Sequence, residues 1–404
     1  MNRKTDTPTF LPYTRHWLDD DDIAAVTAVL RGDWLTSGPA TTAFERALAA
    51  TTGAREAVVC SSGTAALHLA CMALGLRAGE RALVPAITFV ATANAPGFTG
   101  ADIAFTDVDP DTGLMRAADM RAALARDGHP ARVVLPVHLN GQVAPIEALS
   151  ALAREQGLGI IEDGCHALGT RYTTRHGQSA SVGDCRFSDA TVFSFHPAKT
   201  IAMGEGGAVT TNDAALAAAM RRARNHGLVH DAGDFTDPAQ AYEHDGERRP
   251  WYHEMPAPGN NYRASDIHCA LGTSQLAKLP EFAARRATLM ARYDEALQGL
   301  APLVRPVPRV ADCEPVLHLY PVHIDFARAG KTRTEVMQQL RARGIGTQVH
   351  YRPVHQQPWY RRQHPDLALP GARQYYERVL SLPFFTAMQN SDVSRVCNAL
   401  REVL

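Results

Sequence analysis

The sequence predicts an α/β protein: a large domain with a mainly parallel sheet between helices over residues 1–280, followed by a smaller α+β domain over 281–404. Three observations predict it. Short apolar runs alternate with helical patterns through the first half, the β-α-β order that builds a parallel sheet. These runs are apolar throughout, as strands covered on both faces require. Past residue 280 the rhythm changes to fewer, more amphipathic pieces. A chain of 404 residues also exceeds one ordinary core, at roughly 100–200 residues per domain.

The elements follow in order. Ala57–Cys60 reads as a strand and Thr64–Leu74 as a helix. Arg81–Pro85, Ile103–Thr106 and Val133–Val137 are strand-like, Ile146–Gln156 is helical, and Gly159–Glu162 is another strand. Thr191–Phe195 and Gly207–Thr211 are two further strands, and Asp213–Arg224 a helix. Gly227–Pro258 is polar and carries Pro238, Pro250, Pro256 and Pro258; a loop of that length within a domain is commonly functional or disordered. A helix-rich segment runs from Ser265 to Leu297. His318–Ile324 is a strand, Thr332–Arg343 a helix with Val336 and Leu340 on one face, Gly346–His350 a second strand, and Asp392–Val403 the closing helix.

Composition excludes several classes of function. Forty-one Lys and Arg against 42 Asp and Glu leave a net charge of −1, so bulk electrostatics favour no nucleic-acid partner, although a local nucleotide site stays open. No apolar run approaches the roughly 18 residues of a membrane span. The start, Met1–Asp6, is polar with no signal-like apolar stretch behind it, so a cytoplasmic protein is expected. Seven scattered cysteines without a C-x-x-C pair make neither a disulfide framework nor a zinc site, and the 17 histidines lack ligand spacing, so no metal is expected.

Three segments carry chemistry. Ser61-Ser62-Gly63-Thr64-Ala65-Ala66 lies between a strand and a helix, where small residues and free N–H groups suit a phosphate; the same pattern also serves as a plain helix cap. Asp163 in Glu162-Asp163-Gly164-Cys165-His166 closes a buried strand, the end at which open α/β sheets bind ligands. A carboxylate there needs a cation or donor, such as a protonated pyridine nitrogen, or it caps the next turn. Lys199 in Ser194-Phe195-His196-Pro197-Ala198-Lys199 sits in a turn between two buried strands, before Gly204-Glu205-Gly206-Gly207. A lone lysine is ordinarily a solvated charge; among small and apolar residues its pKa falls and it becomes a Schiff-base nucleophile.

Together these segments resemble fold-type-I enzymes dependent on pyridoxal 5′-phosphate (PLP), and more narrowly the sugar-nucleotide aminotransferases of the DegT/DnrJ/EryC1/StrS type. That family's order of Asp, strand, S-F-x-x-x-K and G-E-G-G is met by Asp163, Ser194, Lys199 and Gly204–Gly207. The resemblance extends from Trp34-Leu35-Thr36-Ser37-Gly38-Pro39 to His350-Tyr351-Arg352-Pro353. Thr88–Asn94, Pro250–Met255, Gly259–Arg263, Gln348–Pro353 and His166 look most like the branch that acts in pseudaminic acid synthesis.

The resemblance implies roles. Lys199 would hold PLP as a Schiff base and shuttle the proton, Asp163 would keep the pyridine nitrogen protonated, and Phe89 would stack on the ring. Gly63, Thr64 and Ser194 would bind the phosphate, with Asn261 reaching it from the neighbouring subunit of a homodimer. His166 would lie near the ring's 3-oxygen. Tyr13, the turn Asp33-Trp34-Leu35-Thr36 and His350, Tyr351, Arg352 and Pro353 would line the sugar-nucleotide site, with Arg352 pairing to a diphosphate.

The implied reaction moves an amino group from L-glutamate to C4 of a UDP-linked 4-keto-6-deoxy-N-acetylhexosamine. A family aminotransferase acting at C3 or C4 of another nucleotide sugar, such as a dTDP sugar, is the alternative. A sugar dehydratase of this fold has histidine in place of the Schiff-base lysine, and Lys199 argues against it. A regulator would show a fused DNA-binding segment, and none is visible. Three departures stand out: Gly227–Pro258 is longer than in many members, Thr173–Asp189 looks extended, and no arginine for the donor's α-carboxylate is identifiable.

Overall fold

The computed structural model describes residues 10–126 and 130–404; the polar start Met1–Asp6 lies outside them. The helices are α1 Asp20–Leu30, α2 Pro39–Thr52, α3 Gly63–Ala73, α4 Val90–Phe98, α5 Ala117–Arg126, α6 Ile146–Glu155, α7 Ala214–Arg224, α8 Asp266–Ala277, α9 Leu279–Leu297, α10 Arg333–Ala342, α11 Pro358–Gln363, α12 Pro370–Arg378 and α13 Asn390–Val403. Seven strands make the main sheet: β1 Glu56–Cys60, β2 Arg81–Pro85, β3 Asp102–Thr106, β4 Ala131–Val134, β5 Gly159–Asp163, β8 Ala190–Ser194 and β9 Gly207–Thr211. Between β5 and β8 the chain adds a hairpin, β6 Arg171–Thr173 and β7 Ser179–Ser181. The last strands are β10 Val304–Pro306, β11 Cys313–Glu314, β12 Tyr320–Ile324 and β13 Val379–Leu382.

The main sheet runs β1-β9-β8-β5-β4-β2-β3. β3, β2, β4, β5 and β8 are mutually parallel, while β9 runs antiparallel to both β8 and β1. Its strands are short and buried almost residue by residue, β2 and β9 completely, which accounts for their mainly apolar, non-alternating sequence. A second sheet, β10-β12-β13, is antiparallel, and β11 joins the β6–β7 hairpin in a third. The fold is the α/β architecture of fold-type-I enzymes.

Local sequence sets the helix ends. Ser62 caps α3 by accepting the Ala65 N–H. Asp213 caps α7, and Thr332 with Glu335 forms a reciprocal capping box on α10. α2 has no cap of its own; the buried Asp266 accepts the N–H groups of Gly38 and Ala40 from α8. The helix-rich segment is two helices parted at Lys278.

One expected strand is absent. Gly346–His350 forms only one isolated bridge, Gln348 to Ser381, and the residue before it, Ile345, bridges Leu11. Its backbone pairs at single points on two different segments, so no ladder forms.

Two clusters of buried side chains result. One surrounds the main sheet, from Phe44 and Val58 to Phe193, and includes Tyr360 and Tyr375 from the C-terminal part. The other packs β12 and β13 against α9, α10 and α13, with Tyr293, Val322, Leu340 and Val396. α9 serves both: Leu279 and Phe282 belong to the first cluster, Leu289, Tyr293 and Leu297 to the second. Among the described residues no helix is long and apolar enough to cross a membrane, and no group of His, Cys, Asp and Glu is placed to hold a metal ion.

Candidate active site

The C-terminal ends of the parallel strands open into a cavity of about 550 Å³, within the roughly 300–1,000 Å³ of small-molecule sites. Asp163 ends β5 and is buried. Its Oδ2 accepts the Thr92 hydroxyl at 2.7 Å and its Oδ1 accepts the Cys165 N–H at 3.1 Å. Thr92 lies 2.7 Å, oxygen to oxygen, from Thr88, so the carboxylate is oriented by a two-hydroxyl chain at the start of α4. Behind Asp163, the buried Glu162 accepts from Ser188, Thr191 and His138 and stiffens the end of the strand.

Lys199 comes from the excursion between β8 and β9. That loop is closed by Phe195 N–H to Gly206 O and Met203 N–H to Phe195 O, both 2.9 Å, and seated by the buried Phe195 against Phe44. Burial holds the Lys199 ammonium below the usual lysine range, with Cys165 and Asp163 acting in the opposite direction. Its amine makes no hydrogen bond or ion pair among the described residues. A desolvated, unpartnered lysine facing a buried carboxylate across a cavity is the arrangement an amine nucleophile needs.

At the near wall, the cap at Ser62 leaves the amides of Gly63 and Thr64 without partners among the described residues. Here glycine is required: a Cβ on Gly63 would stand 2.8 Å from the Ser194 Cβ, and one on Gly207 would stand 2.3 Å from the Ser62 carbonyl. The close approach places the α3 N-terminus beside Ser194, a donor set suited to a dianionic phosphate. Phe89, 55 % exposed, presents its ring to the cavity.

These observations test PLP directly. The site offers an unpartnered lysine, a fixed carboxylate, free amides at a helix N-terminus and an aromatic face, one for each part of the cofactor. They fit.

The other expected residues divide. Tyr13, His166, His350, Tyr351 and Arg352 line the same cavity. Tyr13 stacks tilted on His350, ring centres 5.8 Å apart, and the Nδ1 of His350 is 2.9 Å from the Ser381 hydroxyl. Burial, then the Lys199 charge, lowers His350 to about 3, and the same two causes hold His166 well below the ordinary histidine value. Arg352 is exposed at the rim and donates to Gln356 O. Pro353 is buried and does not line the cavity. Asp33, Trp34, Leu35 and Thr36 also lie outside its wall; the turn is pinned to α8 by the Leu35 carbonyl and a Thr36–Ser265 bridge, with Trp34 59 % exposed. Asn261 is exposed and bridges Asn225, away from this chain's own cavity.

Several site residues escaped the sequence. His318 lines the cavity, 4.5 Å ring to ring from His166, with a buried Nδ1 that has no partner among the described residues. Thr92 was readable only as part of the Thr88–Asn94 run; its four-residue spacing from Thr88 was the available signal. Asn140, which donates its N–H to His166, gave none.

A fold-type-I sheet whose cavity holds a buried, unpartnered lysine and an oriented carboxylate suits a PLP-dependent enzyme. The profile of the DegT/DnrJ/EryC1/StrS aminotransferase family matches residues 17–401, and the chain belongs to that family. It is a PLP-dependent sugar aminotransferase. Among solved structures it is similar to Helicobacter pylori PseC, an aminotransferase involved in the biosynthesis of pseudaminic acid, at 28% identity over 98% of this chain and 99% of that one, TM-score 0.85. It is similar also to S. venezuelae DesV, at 32% identity over 98% of each chain, TM-score 0.82. DesI, solved in the presence of its TDP-sugar product, is 32% identical over 98% of this chain and 93% of that one, TM-score 0.83.

Proposed function

We propose that the enzyme transfers the amino group of L-glutamate to C4 of a UDP-linked 4-keto-6-deoxy-N-acetylhexosamine, in pseudaminic acid biosynthesis, forming UDP-4-amino-4,6-dideoxy-N-acetyl-β-L-altrosamine. The observation that carries the transamination is the single cavity shared by the unpartnered Lys199 and the oriented Asp163. The likeness to PseC, an aminotransferase involved in the biosynthesis of pseudaminic acid, supports the pathway.

Bound PLP supplies an electron sink for the pair left behind when the amine-bearing carbon loses its proton. Asp163, held by Thr92 and the Cys165 amide, keeps the proton on the pyridine nitrogen and so deepens that sink. Lys199 would hold the cofactor and, as a free amine, would carry the proton between the two carbons; burial, which keeps its amine below the usual range, would keep it competent as a base. The Gly63 and Thr64 amides and Ser194 grip the phosphate, and Phe89 holds the ring flat. Asn261, the Asp33–Thr36 turn and Trp34 face outward, which suits a homodimer in which they serve the neighbouring cavity. Arg352 at the rim pairs with the diphosphate. Glutamate leaves as 2-oxoglutarate before the keto sugar enters, so the kinetics are ping-pong.

A second reading has specific support: DesI, 32% identical, was solved with a TDP sugar. Purified enzyme, glutamate and a panel of UDP- and dTDP-4-keto sugars, with products read by mass spectrometry, separate the two. Amination of UDP sugars is expected; turnover of dTDP sugars alone refutes the pseudaminic assignment.

A further inference from the structure

The cavity contains one chain of hydrogen bonds whose direction is set from outside it. Asn140 sits in the short turn Leu139–Gly141 at φ 62°, a left-handed conformation that asparagine tolerates. It is anchored there: its side-chain amide donates to the Tyr375 hydroxyl at 3.3 Å and its carbonyl accepts the His318 N–H at 3.1 Å. In that position its own N–H donates to His166 Nδ1 at 3.3 Å. A ring nitrogen that accepts a hydrogen bond carries no proton. Burial beside Lys199 keeps the imidazole neutral, so its single proton is on Nε2. That nitrogen lies 3.1 Å from the Tyr351 hydroxyl. Histidine therefore donates and tyrosine accepts, and the tyrosine proton is left to point elsewhere.

The cavity around it narrows the choice of acceptor. His350 has its Nδ1 against the Ser381 hydroxyl at 2.9 Å, His318 keeps a buried Nδ1 that is a rival acceptor, and Lys199 offers protons and no lone pair when charged. Placing PLP at Lys199 and Asp163 commits the pyridine nitrogen to Asp163, the aldehyde carbon to Lys199 and the phosphate to the α3 N-terminus. The phenolic 3-oxygen then has only the proton it shares with the lysine nitrogen, and as an anion in a buried site it needs a donor from the protein. Both nitrogens of His166 are already engaged, so His166 could serve that oxygen only by giving up a bond. Tyr351 has an uncommitted proton in the same cavity.

We propose that Tyr351, oriented by Asn140 through His166, donates the hydrogen bond to the 3-oxygen of PLP, with His166 the positioning residue behind it. The proposal rests on the placement of PLP given above, and differs from the family expectation by interposing Tyr351 between His166 and the ring.

The test is the pH titration of the visible absorbance of the PLP-loaded enzyme without substrate. The 3-oxygen shares a proton with the lysine nitrogen. A donor on the oxygen stabilises its negative charge and loosens its hold on that proton, lowering the midpoint of the band. Tyr351→Phe keeps the ring and removes the hydroxyl; the midpoint should rise by about one to two pH units, the range of one hydrogen bond to a charged group. His166→Leu should raise it by less. His166→Gln, which can accept from Asn140 and donate to Tyr351, should return it to within about 0.3 unit of the parent, a rescue that mere packing would not produce. An unchanged midpoint in Tyr351→Phe overturns the proposal, as does a larger shift in His166→Leu than in Tyr351→Phe. Lys199→Ala should lose the lysine-dependent band altogether; if it keeps the band, the cofactor's placement has failed and not the relay.

Discussion

Gly63→Ala tests the phosphate cradle. The new Cβ would lie 2.8 Å from the Ser194 Cβ, 3.2 Å from its Oγ and 3.4 Å from the Cys165 Sγ. The first contact is about 0.6 Å short of the 3.4 Å at which such contacts become ordinary, and both neighbours belong to the site. Relief requires α3 to retreat or the end of β8 to bend, and either opens the gap between the Gly63 and Thr64 amides and Ser194. Overpacking of this kind costs about 1–3 kcal/mol. If the whole of that cost falls on the cradle, PLP binds about 5- to 150-fold more weakly. The assay is a PLP titration of cofactor-free enzyme followed by absorbance, with thermal melting alongside. Gly97→Ala is the control: that glycine lies in α4 with open space around it, so it should bind PLP normally and gain about 0.5–1 kcal/mol of stability. A Gly63→Ala enzyme that binds PLP within twofold of the parent refutes the assignment of this helix end to the phosphate.

Two further outcomes follow from buried groups outside the cradle. Arg286 is 2 % exposed and donates to the carbonyls of Leu317 and His318, so Arg286→Met should destabilise the enzyme by about 1–3 kcal/mol for each carbonyl left unpaired, read as a lowered denaturant midpoint. His166, His318 and His350 are all held neutral by burial, His350 down to about 3, whereas in the unfolded chain they titrate near 6.5. The unfolded state thus binds more protons below that value, and stability should fall as pH drops from about 6.5, at up to about 1.4 kcal/mol per pH unit for each histidine. His350→Phe should remove about one proton from the pH dependence of the unfolding free energy; a slope identical to the parent's would contradict a neutral His350.

Much of this site was legible because its chemistry is local. Asp163 ends an apolar strand, Lys199 lies in the turn that follows one, and the Ser62–Thr64 turn joins a strand to a helix; each can be recognised within half a dozen residues. The sheet was legible for the same reason, since unbroken apolar runs mark strands covered on both faces. What escaped is non-local. Thr92 reaches Asp163 across 71 residues of sequence, and Asn140 reaches Tyr375 across 235. Thr92 offers only its four-residue spacing from Thr88, and Asn140 offers no periodicity or motif. His318 reads from sequence as the first residue of a strand; in the fold it lies just ahead of β12 and against His166. Gly346–His350 failed as a strand because β-like composition does not supply a neighbour, and the chain there pairs at isolated points.

The helix that serves both clusters has a practical consequence for dissecting the molecule. α9 is a single rod of 19 residues, close to 28 Å long at about 1.5 Å per residue. A polypeptide ended at residue 280 would keep Leu279 and forfeit Phe282 from the same packed layer. It would also lose β11 from the edge of the β6–β7 hairpin, and Tyr360 and Tyr375 from beneath the main sheet. The complementary fragment would begin inside a helix, with its first apolar face bare. Neither half should be obtained as a well-behaved protein by expressing it alone, and bringing the two together should restore PLP binding only if α9 is left whole on one of them.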